Sequence, residues 1–145
     1  MKTVFSLSKL VLGAALLSAF ADPAFAWELP AVANIDWKCE EGVGNLDHPA
    51  PLLRLSGTFE TARSRSFTIE EKKKLRVIVF QNGAPVTLSP ASYDLIWEND
   101  GRFQSILIRT KEATYEIGTT TGSALLLRMT VPGLIYGTRT KMGSC

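Results

Sequence analysis

Apolar and polar residues alternate with a period of two along most of this chain, and that pattern predicts strands. Ile35, Trp37 and Cys39 alternate with Asp36, Lys38 and Glu40, as in a half-buried strand. The polar, proline-broken stretch from Gly42 to Pro51 reads as a loop. Leu53 and Leu55 resume the alternation through Gly57 toward Phe59, and Phe67 and Ile69 follow. From Leu75 to Phe80 apolar residues occupy both faces, so this strand is expected to lie centrally.

Turn chemistry punctuates the rest. Asn82-Gly83 accepts the positive φ angles of a two-residue hairpin, so Val86 and Leu88 are expected on the returning strand, ended by Pro90. Asp94 to Trp97 is a short strand, and Asn99-Asp100-Gly101 turns into a strand from Arg102 to Arg109. Ala113, Tyr115 and Ile117 alternate next. A turn over Thr119 to Gly122 leads to a long strand from Ala124 to Val131, and Pro132-Gly133 turns into Leu134 to Thr140. One helical turn between Ile69 and Leu75 is the sole helix expected. Roughly eight strands at a spacing of about 8–12 residues imply an all-β antiparallel meander, a barrel or a sandwich.

The first residues have another pattern. Lys2 and Lys9 precede an apolar run from Leu10 to Phe20, and Ala24-Phe25-Ala26 has the small-x-small form of a signal peptidase site. Residues 1–26 are therefore read as an export signal and 27–145 as a single domain. The apolar run is too short for a span of roughly 20 residues, and no membrane span is expected. A periplasmic or secreted bacterial protein follows.

Export changes how the two cysteines are read. In an oxidising compartment Cys39 and Cys145 have one possible pairing, closing a loop of about 107 residues worth roughly 4.7 kcal/mol in chain entropy. Two cysteines and the single His48 do not fill a tetrahedral metal shell, and no metal or other cofactor is expected.

Charge narrows the partner. Residues 1–26 hold Lys2, Lys9 and Asp22, so their removal leaves 14 Lys and Arg against 13 Asp and Glu. A balance so near neutrality argues against a nucleic-acid surface. The basic cluster of Arg63, Arg65 and Lys72-Lys73-Lys74, beside Glu70 and Glu71, reads as a solvated strand end and loop, or as a patch for an acidic partner. Ser89 and Ser92 have only His48 as a conventional base, and Glu40-Glu41 and Glu70-Glu71 are sequence neighbours that a strand would point to opposite faces. The chain is expected to bind rather than catalyse. Its aromatics, Trp37, Phe59, Phe67, Phe80, Trp97, Phe103, Tyr115 and Tyr136, read as core or as the lining of a small apolar cavity.

One segment is more particular. Val77-Ile78-Val79-Phe80-Gln81-Asn82-Gly83 leads through Val86-Thr87-Leu88 to Ser89-Pro90-Ala91-Ser92-Tyr93 and Trp97-Glu98-Asn99-Asp100-Gly101. It resembles the periplasmic and membrane-bound C-type lysozyme inhibitors of Gram-negative bacteria, as does the aromatic-x-Cys opening Trp37-Lys38-Cys39. The resemblance implies an eight-stranded barrel with a terminal disulfide, and a loop inserted into the active-site cleft of lysozyme. Ser89 and Tyr93 match the ends of that loop, and Trp97 matches an aromatic beyond it. Pro90 stands at the family's glycine and Asn99 at its lysine, so Arg102 or Lys111 must supply the cation. Ser89, Ser92, Tyr93, Trp97 and Arg102 thus form the expected partner-binding set. The partner is expected to be a cell-wall hydrolase. The alternatives are an accessory subunit of an envelope or secretion assembly, using an unpaired edge within Trp27 to Asp36, and a carrier of a small apolar ligand.

Overall fold

The computed structural model describes residues 29–42, 48–61, 65–99, 104–119, 124–133 and 137–145. Residues 1–26, expected to be an export signal, and Arg102 lie outside the described residues. The described chain is all-β, ten strands in one antiparallel sheet curved into a half-barrel, against the expected eight. They are β1 (Val32–Glu41), β2 (Pro51–Glu60), β3 (Arg65–Ser66), β4 (Leu75–Gln81), β5 (Ala84–Thr87), β6 (Asp94–Asn99), β7 (Gln104–Arg109), β8 (Thr114–Thr119), β9 (Leu125–Pro132) and β10 (Thr138–Ser144). A four-residue helix, α1 (Ile69–Lys72), falls within the expected turn, and Pro90–Ser92 forms a 3-10 turn.

The two-residue period holds in β1, β2, β4, β6, β7 and β8, where it places Ala33, Ile35, Leu55, Phe59, Val77, Val79, Leu95, Trp97, Ile106, Ile108, Tyr115 and Ile117 in one core. Strand β9 adds Leu127, and β10 is exposed apart from Gly143. Leu75 to Gln81 is paired on both edges, by β2 and β5, but it lies second from the sheet's end and not centrally. It buries one face only: Leu75, Val77 and Val79 are in the core, while Arg76 is exposed and Ile78 and Phe80 are half-buried. Asn82 and Gly83 adopt φ of 51° and 80°, the left-handed pair of a tight hairpin, and Gln81 faces Ala84.

The strand order departs from a simple meander: β3-β6-β7-β8-β9-β10-β1-β2-β4-β5. Strands β6 to β10 do follow one another, but β3 leaves β2 and pairs with β6, and β10 pairs with β1. The sheet therefore has a six-stranded arm and a four-stranded arm meeting at β10 and β1. That junction is narrow. Among the described residues two ladder pairs cross it, Glu40↔Ser144 and Glu41↔Gly143. They are extended by the Gly42 amide donating to the Met142 carbonyl at 3.2 Å and by a Lys141–Glu41 ion pair at 3.5 Å. Cys39 is bonded to Cys145 at the next step, Cα atoms 3.9 Å apart. Over Val32 to Lys38, β1 pairs with β2 alone among the described residues.

Two local features let the junction close. The β1–β2 register shifts at Cys39/Glu40, leaving Leu52 as an extra residue that turns inward. Gly143 lies so close to β1 that a Cβ there would stand 2.4 Å from the Glu40 carbonyl oxygen and 3.2 Å from Leu52 Cδ1. A side chain would push the two arms apart.

Away from the junction the arms are held together by aromatic packing. Phe59 of β2 meets Trp97 of β6 edge-on at 5.3 Å and Phe67 at 5.8 Å. The Trp97 indole donates to the Thr61 carbonyl at 3.3 Å, and the Thr61 hydroxyl donates to the Pro30 carbonyl at 2.6 Å. Replacing Cys39 and Cys145 by serine should cost about 4 kcal/mol of unfolding free energy, measured by denaturant titration, because a two-pair ladder does not replace a closed loop of this size. A loss below about 1 kcal/mol would mean that aromatic packing alone holds the arms.

Candidate interaction surface

The segment singled out by sequence begins on the 3-10 turn. Ser89 precedes it in an extended conformation, Pro90 opens it with its fixed φ, and the Ser92 amide donates to the Ser89 carbonyl at 2.9 Å. The Ser92 hydroxyl donates to the same carbonyl at 2.7 Å. The turn is thus closed twice, and Ser89, Ala91 and Ser92 are exposed.

Tyr93 and Trp97 are placed differently from the expectation. Both belong to the core, at 4% and 1% exposure, so neither side chain is presented at the surface. Alternation along β6 accounts for this, since Leu95 and Trp97 share the inward face. Burial pushes the Tyr93 hydroxyl above its ordinary pKa, and its oxygen has no hydrogen-bond partner among the described residues.

What holds the turn from below is a lysine. The sequence places Lys72 in a solvated basic run, yet it is 5% exposed, whereas Lys73 and Lys74 face solvent. Its ammonium donates to the Tyr93 carbonyl at 2.7 Å and lies 5.1 Å from the centre of the Tyr93 ring. Helix α1 aims it. Thr68 caps the helix in a capping box with Glu71, and Glu71 also pairs with Arg65, whose guanidinium lies 4.8 Å from the Phe67 ring centre. The Thr68 amide, then Arg65, holds the Glu71 carboxyl below its ordinary pKa. A burial-blind sequence pattern does not separate Lys72 from its neighbours; the one available signal is the Thr68-x-x-Glu71 cap, which fixes the helix phase.

Tertiary structure adds two cations beside the turn. Ser92, Tyr93, Asp94, Arg109 and Lys111 line a cleft of about 260 Å³. Arg109 is cross-strand partner to Asp94, and Lys111 sits on the turn after β7, which Thr110 organises by accepting from the Glu112 and Ala113 amides. Neither cation forms an ion pair among the described residues. Lys111 was one of two cations expected near this loop; Arg109 was missed. Among the described residues no cluster of His, Cys, Asp and Glu fits a metal ion, and no helix is long and apolar enough to cross a membrane.

Two predictions follow from the support beneath the turn. In Lys72→Met the burial cost of the charge and the lost hydrogen bond roughly offset, so unfolding free energy should change by less than about 1 kcal/mol. Hydrogen exchange at the Ser92 amide should instead speed up by about tenfold, and unchanged exchange would remove Lys72 from any role in the turn. Glu71 has a lowered folded pKa, so its stabilisation is present above its unfolded value near 4.5 and is lost as pH falls through the folded value. Glu71→Gln should therefore be less stable than the native chain at neutral pH, with the gap closing below about pH 4 in acid-unfolding curves.

Compared with known proteins, the chain matches no family model, no curated protein and no solved structure.

Proposed function

We propose that the exported chain is a non-enzymatic binding protein that docks its 89–92 turn, flanked by Arg109 and Lys111, onto a carboxylate-bearing cleft of a partner protein. A cell-wall hydrolase of the lysozyme type fits that description, since its cleft carries the acidic groups that cleave glycosidic bonds. One observation carries the reading. Two cations from a different part of the chain stand beside an exposed, doubly closed serine turn, with no ion pair among the described residues. A turn held in this way loses little conformational entropy on binding.

The contact set differs from the one the sequence implied. Ser89 and Ser92 remain as exposed hydroxyls. Arg109 and Lys111 take the cationic role, and Tyr93 and Trp97 act from within the core as supports. The test is lysis of bacterial cell walls by chicken-type lysozyme in the presence of excess exported protein. Lysis should be suppressed, and Arg109→Ala combined with Lys111→Ala should weaken the suppression by about tenfold or more. Undiminished lysis at excess protein ends the hydrolase reading.

A further inference from the structure

Beyond the 110–112 turn the surface continues into a second cleft, of about 170 Å³, bordered by Lys111, Thr114, Thr130, Pro132 and Thr138. Thr110 and Lys111 border both clefts, so the two adjoin at the 110–112 turn and together make up a groove on the six-stranded arm. The groove lies along a cross-strand row. Asp94 faces Arg109, Arg109 faces Thr114, Thr114 faces Thr130, and Thr130 faces Thr140. Cross-strand partners share a face and recur at the strand spacing of about 4.8 Å, so the hydroxyls stand in line.

Three properties of this row define what it can hold. The hydroxyls of Thr114 and Thr130 in the row, and of Thr138, which borders the cleft opposite Pro132 instead, make no hydrogen bond among the described residues, and Thr114 and Thr130 are half-buried. The strands beneath, β7, β8 and β9, are each paired on both sides, so no backbone edge is open for an added peptide strand. Recognition therefore falls to side chains: several hydroxyls, two cations without an ion pair among the described residues, and the carboxylate of Asp94. Such a set meets hydroxyls and carboxylates at repeated intervals, and its apolar parts, Ala113 and Pro132, are too small for a hydrophobic anchor.

We propose that this groove binds an acidic, hydroxyl-rich chain, a uronic-acid oligosaccharide being its simplest form. The inference goes beyond the hydrolase reading and does not depend on it. The exported protein is titrated, by backbone amide NMR, with oligogalacturonate, with a neutral maltooligosaccharide of equal length, and with polyphosphate. Oligogalacturonate should shift the amides of Thr114, Thr130 and Thr138 and bind at least about tenfold more tightly than the neutral chain. Thr114→Val combined with Thr130→Val keeps β-branched residues in the strands but removes two hydroxyls, and should weaken that binding by about tenfold. The same variant should leave the melting temperature and any suppression of lysozyme unchanged, which separates the threonine part of the groove from the serine turn that shares Arg109 and Lys111 with it. Absence of oligogalacturonate binding, equal binding of the neutral chain, or polyphosphate and oligogalacturonate binding that both ignore the valine pair would each overturn the proposal. In the last case the groove would be a charge patch and nothing more.

Discussion

The Cys39–Cys145 bond is the constraint on which the rest of the structure depends. It stands at a junction of two ladder pairs, between an arm of four strands and an arm of six. A net hydrogen-bond contribution of about 1 kcal/mol each gives such a ladder little hold against the entropy of two separating arms. The bond removes most of that entropy from the unfolded chain, because it closes 106 residues of sequence. The bulge at Leu52 and the missing side chain of Gly143 then allow the backbones to meet there.

On the other side of the half-barrel, the arms are held by aromatic contact instead of a ladder. Phe59, Phe67 and Trp97 converge there, and the Trp97 indole finds its acceptor in the Thr61 carbonyl. Trp97 therefore has a structural use that outweighs exposure at a partner surface. The 89–92 turn leads directly into that packed strand, and Lys72 braces it from the helix side. A chain of contacts from Arg65 through Glu71, Thr68 and Lys72 to Tyr93 thus joins the basic cluster of the sequence to the serine turn.

Much of the fold was legible from periodicity. Strand positions and the Asn82-Gly83 turn depend on neighbours within a few residues, where alternation and positive φ act directly. Strand order was less legible. Nothing near Arg65-Ser66 indicates that they pair with Trp97 and Ile96 rather than continue β2 into β4, since Phe59, the ring that meets Trp97, lies 38 residues from it in the chain. The interaction surface divides in the same way. Ser89 and Ser92 were visible in the chain, but Arg109 joins them only because β6 and β7 pair in a register that sets it opposite Asp94.

The sequence by itself determined that this protein is an all-β chain with one possible disulfide, because residue alternation and cysteine count are local or exhaustive properties. The tertiary structure alone decided which charges are free and which are used. Lys72, Lys73 and Lys74 are chemically identical in a row, yet one is buried against the Tyr93 carbonyl while its neighbours face water. Which of the three is buried depends on what the fold brings opposite it, and the alternation that marks the core strands does not extend to adjacent lysines on a helical turn.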